Sequence, residues 1–354
     1  MKTLNDLCTK ASSSIAQKDI TDNNGDYPIY GASGFIKKVD FFVQEKPYIA
    51  VVKDGAGVGR VMKLPAQSSV IGTMQYIIPN EGVNVSYLAY ALEHMNLAKY
   101  YTGATIPHIY FKDYCKEKLP EHSVEKQAEI ADELAQVDIL IASRQEQLVK
   151  LDELVKSRFI ELFGGHGYPE DTLLNLCNII DYRGKTPEKV EYGLPFITAK
   201  NVKMHQMNLE PREYISKETY DKVMVRGFPK EGDVVFTTEA PLGNVCRIPH
   251  FDTEFYIGQR IVTMQTEKLV PIYLEYALSS DQFKAKYMEK SSGSTVTGIR
   301  VRLLEQLTIP VPPMELQNEF AAFVEHTDKL KLVIQQSLDK LETLKKALMQ
   351  KYFG

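Results

Sequence analysis

Long apolar runs and paired cysteines are both missing from this sequence. No stretch of about 18 uninterrupted apolar residues is available to span a membrane, and residues 1–10 carry no apolar run of signal-peptide length. The four cysteines, at positions 8, 115, 177 and 246, form no C-x-x-C pair and have no histidine at zinc-ligand spacing. We therefore expect a cytoplasmic protein with reduced, structural thiols and no metal site.

The sequence also lacks a strong charge of one sign. Its net charge is −4, and the acidity lies in residues 121–164, which carry 5 basic and 10 acidic side chains. Residues 1–120 carry 13 basic and 11 acidic side chains, residues 165–312 carry 18 and 19, and residues 313–354 carry 6 of each. The near-neutral parts permit DNA contact through local patches, and they predict weak non-specific affinity for the isolated chain.

Catalytic motifs are missing as well. The glycine run Gly55-x-Gly57-x-Gly59 has no Lys-Ser/Thr after it and is flanked by strand-like residues, which favours a β-hairpin turn over a phosphate-binding loop. The sequence Val-Pro-Pro-Met at 311–314 lacks the Asx and the aromatic residue of an amino-methyltransferase motif. The seven histidines are scattered and no paired carboxylate motif occurs, so we predict a chain without an active site.

What the sequence does contain is an internal repeat. Residues 119–164 and 309–354 align without a gap at a shift of 190 positions. The same shift aligns Gly103-x-Thr105 with Gly293-x-Thr295, and the register drifts further upstream, as insertions would make it do. The chain is therefore predicted to contain the same fold twice, with different loops. Identical pairs include Pro120/Pro310, Glu125/Glu315, Gln127/Gln317, Asp138/Asp328, Leu148/Leu338 and Phe163/Phe353.

The repeated segments are predicted to be long helices. Apolar residues recur there at three- to four-residue spacing, and about 40 residues at 1.5 Å each would give a helix of about 60 Å. This length favours a coiled coil over two core helices of an ordinary domain. Arg144, Arg158, Lys331 and Lys345 interrupt the apolar stripes, as residues that fix the register of a coiled coil often do.

Chain length predicts how the two helices run. Only residues 164–171 separate the first helix from the second module, and eight residues reach at most about 28 Å. The second helix therefore most easily runs back along the first. We predict an antiparallel coiled coil that carries one module at each end, with pseudo-two-fold symmetry.

The globular modules are predicted to be α+β. Residues 48–53 and 233–237 have the composition of strands, and residues 85–100 and 271–288 that of helices. The predicted organisation is a first module at 1–120, a long helix at 121–164, a second module at 165–312 and a second long helix at 313–354.

Basic, aromatic and amide side chains on the modules are candidates for DNA contact. Lysine and arginine neutralise phosphates, and arginine, lysine, asparagine and glutamine read base edges in the major groove. A solvated surface is an equally good reading of any single cluster. The candidates are Lys37, Lys38, Lys53, Arg60, His108, Tyr110 and Lys112 in the first module, and Arg183, Lys185, Lys200, Asn201, Arg247 and Arg300 in the second.

The chain resembles the specificity (S) subunit of type I restriction-modification enzymes over essentially its whole length. The most specific elements are Pro312-Pro313-Met314-Glu315-x-Gln317 before the second long helix, its counterpart Glu125-x-Gln127, and Arg183-Gly184-Lys185-Thr186-Pro187. The first copy departs from the pattern, because Glu121-His122-Ser123 stands where the second copy has its double proline.

The resemblance implies two target-recognition domains, each reading one half of a split double-stranded DNA site across a gap that the helices set. It implies two methylation subunits that use S-adenosylmethionine and two restriction subunits that use ATP and Mg²⁺, with no cofactor on this chain. The alternatives are a non-catalytic coiled-coil scaffold with two protein-binding modules and a solitary restriction or modification enzyme.

Overall fold

The computed structural model describes residues 1–103, 106–182, 187–293 and 296–354. These residues form two compact units, one made of residues 1–147 and 334–354 and the other of residues 148–333. Each unit therefore contains one globular module, part of the long helix that follows it and part of the other long helix. The units divide the chain differently from the predicted segments, which assign each helix whole. No helix in the described part of the chain is long and apolar enough to cross a membrane.

The first module is built on two sheets. A four-stranded antiparallel sheet has the order β2-β8-β5-β6, and a three-stranded sheet has the order β4-β3-β7 with β3 and β7 parallel. The strands are β1 (Lys2–Thr3), β2 (Cys8–Ser12), β3 (Tyr27–Gly31), β4 (Gly34–Val39), β5 (Tyr48–Val52), β6 (Val61–Leu64), β7 (Ser69–Val70), β8 (Met74–Pro79) and β9 (Lys118–Leu119). The helices are α1 (Leu4–Leu7), α2 (Val85–His94), α3 (Phe111–Tyr114) and α4 (Val124–Phe163), with 3-10 turns at Gln17–Ile20 and Leu97–Tyr100.

Strand β5 explains why the module has a core on both faces of this sheet. All five of its residues are buried, as expected for a β-branched run in the middle of a sheet. Successive side chains of a strand point to opposite faces. Accordingly, Ile49 and Val51 belong to the core that includes helix α2. Tyr48, Ala50 and Val52 belong to a separate core on the other face.

The second module repeats this topology. Its four-stranded sheet has the order β11-β19-β16-β17, and its three-stranded sheet has the order β15-β12-β18 with β12 and β18 parallel. The strands are β10 (Glu170–Thr172), β11 (Asn178–Asp181), β12 (Leu194–Ile197), β13 (Val202–Lys203), β14 (Gln206–Met207), β15 (Tyr214–Ile215), β16 (Val234–Thr237), β17 (Val245–Arg247), β18 (Tyr256–Ile257), β19 (Ile261–Gln265) and β20 (Thr308–Pro310). The helices are α5 (Leu173–Leu176), α6 (Lys217–Val223), α7 (Pro271–Ser279), α8 (Asp281–Lys290), α9 (Val301–Leu304) and α10 (Met314–Phe353).

The predicted duplication is thus confirmed sheet by sheet. The insertions that shift the sequence register are also located. Strands β13 and β14 lie between β12 and β15, where the first module has a direct β3–β4 hairpin, and α6 lies between β15 and β16. The predicted helix at 85–100 is broken. Asn96 adopts a left-handed conformation with φ 49°, which ends the α-helical segment and starts the 3-10 turn.

The long helices α4 and α10 each have forty residues and pack antiparallel within each unit. In the first unit the Tyr352 hydroxyl donates to Glu133 at 2.6 Å, and Lys345 Nζ lies 2.7 Å from Asp138. Moving forward along α4 therefore means moving backward along α10. The predicted antiparallel arrangement is confirmed in this unit.

The second unit gives the same direction. Arg158 forms an ion pair with Glu319, and Lys331 Nζ lies 2.6 Å from Asp152. Three of the four polar residues that interrupt the apolar stripes, Lys345, Arg158 and Lys331, thus form ion pairs between the helices. Such solvent-accessible pairs contribute little to stability, so their main effect is on register.

The glutamine of the first Glu-x-Gln motif connects a module to its long helix. Gln127 is 6% exposed. Its Oε1 accepts the backbone N–H of Asn84, the residue that caps helix α2, at 2.9 Å. Its Nε2 donates to the backbone oxygen of His122 at 3.0 Å. One buried side chain thus joins the beginning of α2 to the beginning of α4.

Gln317 makes the same connection in the second unit. Its Oε1 accepts the N–H of Val270, just before α7, at 2.9 Å, and its Nε2 donates to the oxygen of Pro312 at 2.9 Å. The motif shared by the two copies is therefore a hydrogen-bonded clamp. An unbonded buried amide would cost free energy, which explains why the residue type repeats.

Candidate DNA-recognition surfaces

Each module carries a short turn between its helical segment and its last small helix, and we call these the equivalent turns, residues 102–108 and 292–298. In the first module Thr102 and His108 exchange two backbone hydrogen bonds at 2.8 Å. The N–H of Ile109 then donates to the oxygen of Lys53 at 2.9 Å. This places the turn against the end of strand β5. Residues 104 and 105 lie outside the described residues.

The second module repeats these bonds. Ser292 and Gly298 exchange backbone hydrogen bonds of 2.9 and 3.0 Å, and Ile299 donates to the oxygen of Thr238 at 2.9 Å. The turn therefore lies against the end of strand β16. Residues 294 and 295 lie outside the described residues.

The repeated glycines are required by these turns. Gly103 has φ +100° and Gly293 has φ +123°, a region that L side chains rarely adopt. A Cβ atom would lie 2.4 Å from the oxygen of Ile106 in the first turn and 2.0 Å from that of Val296 in the second. The two glycines that repeat in the sequence are thus a backbone requirement of the turns.

A carboxylate stands beside each turn at the same structural position. Asp54, just after β5, has Oδ1 2.7 Å from Nδ1 of His108 and Oδ2 3.4 Å from Nζ of Lys53. Glu239, just after β16, has Oε1 2.9 Å from Nε of Arg260. Each carboxylate therefore holds a donor side chain at the surface of its module.

Several of the predicted residues of the first module gather around its turn. Lys53 and His108 share the carboxylate of Asp54. Exposed Tyr110 follows the turn, and Lys112 Nζ lies 5.4 Å from the centre of its ring. Arg60 closes the β5–β6 hairpin, as the glycine run predicts, and its Nη1 donates to the oxygen of Ala32 at 2.8 Å.

In the second module the predicted residues are more dispersed. Lys200 is exposed and lines a concavity of about 280 Å³ together with Phe196 and Arg260. Arg300 is exposed just after the turn and lines a neighbouring concavity, also with Arg260. The predicted residues Arg183 and Lys185 lie outside the described residues.

Asn201 is a correction to the predicted set. It is only 1% exposed. Its Oδ1 accepts from the N–H of Thr198 at 2.9 Å, and its Nδ2 donates to the oxygens of Asn208 and Pro211 at 3.0 and 3.2 Å. The amide is consumed in holding its own loop, so it has no group left for a base edge.

Lys37 and Arg247 are partly exposed and have partners within the protein. Lys37 Nζ donates to the backbone oxygens of Ile20 and Thr21 at 3.0 and 2.9 Å, which ties β4 to the preceding 3-10 turn. Arg247 Nε lies 2.6 Å from the carboxylate of Glu275, which is 1% exposed. Both cations therefore have structural roles, and their contact with DNA stays a prediction. Lys38, the neighbour of Lys37, is exposed on β4.

Glu275 is a charged residue that the sequence did not single out. Its second carboxylate oxygen lies 2.8 Å from Nδ1 of His205, whose ring stacks 4.2 Å from that of Tyr276. A carboxylate this deeply buried requires such partners, since an unpaired buried charge is strongly destabilising. A glutamate within the apolar helix α7 is the only sequence signal for it.

No group of three or more His, Cys, Asp or Glu side chains among the described residues could hold a metal ion. Three of the cysteines, Cys8, Cys177 and Cys246, are buried, and burial raises the pKa of each thiol to about 12. These thiols therefore stay protonated and unreactive near neutral pH.

Comparison with known proteins identifies the class. The family model for the type I restriction modification DNA specificity domain matches residues 1–153 and again residues 172–343. The chain therefore belongs to this family, with one copy of the domain in each half, and the resemblance found in the sequence is confirmed.

Individual relatives agree. The type I restriction enzyme MjaVIII specificity subunit of Methanocaldococcus jannaschii is 25% identical over 352 residues, which cover 90% of this chain and 81% of the relative. A putative MjaX specificity subunit from the same organism is 25% identical over 301 residues, covering 77% of this chain and 68% of the relative.

Solved structures share the fold. The S subunit of a type I restriction-modification system from M. genitalium superposes with a TM-score of 0.64 at 16% identity, covering 100% of this chain and 95% of that one. A chain solved in work on complex assembly and conformational transition of the type I R-M system gives a TM-score of 0.57 at 17% identity, covering 99% and 96%. The chain is a DNA sequence-specificity subunit of the type I restriction-modification class.

Proposed function

We propose that each module reads one half of a bipartite DNA site and that the side chains around the two equivalent turns make the contacts. The observation that carries this proposal is that the backbone of the turns repeats while their side chains differ. His108 in the first turn corresponds to Gly298 in the second, and Asp54 corresponds to Glu239. One scaffold with different donors suits two different half-sites, because base identity is read by donor and acceptor pattern.

The exposed cations are assigned to the phosphate backbone in this proposal. Lys38, Arg60 and Lys112 in the first module and Lys200 and Arg300 in the second are exposed. Phosphate contacts position a protein on DNA without reading its sequence. Arg183 and Lys185 stay predictions of the same kind.

The reacting groups are assigned to partner subunits. We propose that this chain is non-catalytic and acts in the cytoplasm with two methylation subunits and two restriction subunits. S-Adenosylmethionine, ATP and Mg²⁺ would be bound by those partners. We propose two methylation subunits because each unit contains one module and parts of both long helices, so each offers an equivalent binding place for one subunit.

Exposed aliphatic side chains on the long helices support partner docking. On the first unit Ile139 is 66% and Leu140 46% exposed, and on the second Ile160 is 66% and Val333 63% exposed. Exposed aliphatic side chains such as these are available for contact with another protein. These positions are therefore assigned to the partner subunits.

A module exchange tests the proposal. This chain is co-expressed with its methylation partner and the methylated motif is determined by methylome sequencing. The second module is then replaced by that of another specificity subunit. We expect one half of a bipartite motif to change and the other half to stay. A complex that binds no DNA would favour the scaffold alternative, and a change in both halves would contradict independent reading.

A further inference from the structure

Arg260 combines an unfavourable backbone conformation with an exposed side chain. It directly precedes β19 and has φ +74°, in the left-handed region that residues other than glycine rarely adopt. Its backbone oxygen accepts the N–H of Thr238 at 2.8 Å, and its side chain is 51% exposed. Since the side chain is not buried, packing does not explain why an arginine occupies this position. Such strained positions are concentrated at functional sites.

Glu239 fixes one side of the guanidinium. Its Oε1 lies 2.9 Å from Nε of Arg260, and Glu239 is the one ion-pair partner of that arginine among the described residues. The second equivalent turn approaches Glu239 closely, since a Cβ added to Gly298 would lie 3.1 Å from the Cβ of Glu239. With Nε facing Glu239, the two terminal nitrogens form the fork that remains to meet a ligand.

The first module supplies an independent parallel. Asp54 occupies the place of Glu239, and it holds His108 through Nδ1 at 2.7 Å. The place of Arg260 is taken by Thr73, whose oxygen accepts the N–H of Lys53 at 3.0 Å. Both modules thus have a carboxylate at this position. The side chain that it holds comes from the turn in the first module and from the residue before β19 in the second. Two readers of different sequences would differ in this way.

We propose that Arg260 reads a guanine in the half-site of the second module, with Glu239 as its positioning residue. Guanine presents two acceptors, O6 and N7, in the major groove, and an arginine fork is their commonest partner. Lys200 and Arg300 each line a concavity that Arg260 also lines, so phosphate-binding cations flank the fork. This inference rests on the proposed reading of DNA by the modules and names one residue that performs it.

The test uses the complete complex and the methylome of the host cell. Arg260→Gly removes the fork, and glycine adopts positive φ readily, so the fold is retained. We expect methylation at sites with another base in place of one guanine to rise relative to guanine sites by about 5- to 150-fold, which is the discrimination that a bidentate pair provides. Arg260→Lys keeps the charge and a donor for guanine but loses the planar fork, so a smaller loosening at the same position is expected.

Controls separate this inference from its alternatives. Arg212→Ala removes an exposed arginine that pairs with Glu210 in the same module, and the motif should stay unchanged. Glu239→Gln should loosen the same guanine position less strongly than Arg260→Gly. Module exchange identifies which half of the motif belongs to the second module.

Three results would overturn the inference. They are an unchanged motif in Arg260→Gly at normal methylation, a uniform fall in methylation with an unchanged motif, and loosening in the half read by the first module. If the unaltered complex methylates no bipartite site, the proposed function fails first and this inference with it.

Discussion

The carboxylate of Glu275 lies 2.6 Å from Nε of Arg247 and is almost completely shielded from solvent. This ion pair stabilises the second unit. It also engages an arginine that the sequence suggests for phosphate contact. Replacing the arginine leaves a buried carboxylate with only His205 beside it.

We expect Arg247→Met to lower the free energy of unfolding of the second unit by about 1–3 kcal/mol, a value reduced because Arg247 is one-third exposed. Urea unfolding followed by circular dichroism measures it. Arg212→Met, in an exposed pair, should leave the unfolding midpoint nearly unchanged. If Arg247→Met altered the methylated motif without loss of stability, its structural role would be wrong.

The glutamine clamps predict a second effect on stability. Gln127→Leu leaves the N–H of Asn84 and the oxygen of His122 without their partner in a buried place. The expected loss is about 1–3 kcal/mol. Thermal unfolding of the full chain measures it, with exposed Gln145→Leu on the same helix as the matched control. Equal melting temperatures for the two variants would contradict the clamp.

The burial of the cysteines predicts how many of them react with a thiol reagent. Cys8, Cys177 and Cys246 are buried and have pKa values raised to about 12 by burial, whereas Cys115 is partly exposed. A thiol reagent such as DTNB at pH 8 should therefore modify one cysteine in the native protein and all four in denaturant. The Cys115→Ser variant should lose the native reaction. Rapid modification of a second thiol would be inconsistent with this packing.

The ion pair of His250 predicts a raised titration midpoint for its imidazole. The main cause that raises its pKa above the usual 6.5 is the hydrogen bond that its imidazole donates to the carboxylate of Glu231, with Asp252 contributing less. A raised folded-state pKa means that the pair stabilises fully below pH 6.5 and that this contribution is lost as pH rises through the raised value. NMR titration of the imidazole measures the midpoint. Glu231→Gln should bring it back toward 6.5, and an unchanged midpoint would exclude this pair as the cause.

The repeated scaffold could be predicted from the sequence because its physical requirements repeat in the residues. Gly103 and Gly293 are needed for positive φ, and Gln127 and Gln317 are needed for the clamps. The antiparallel direction followed from the short connection between the first helix and the second module. Each of these features is local or depends on one spacing.

The surface could be predicted less well because it depends on partners distant in sequence. Arg247 meets Glu275 and Lys37 meets Ile20 only after folding, so composition alone marked both as free cations. Arg260 was missed because its counterpart in the first module is a threonine. Aligning Asp54 with Glu239 at the strand ends would have pointed to the two carboxylates and their donors.

Because helix α10 contributes to both units, the two units can be completed only at different times during synthesis. The second unit is continuous, residues 148–333, whereas the first unit needs residues 334–354 to cover Tyr87 and Leu134 in its core. On the ribosome, the first unit is therefore completed only when residues 334–354 have been made, whereas the second unit is completed before them. Because exposed apolar surface favours aggregation, the first module is the part of the nascent chain that most needs protection.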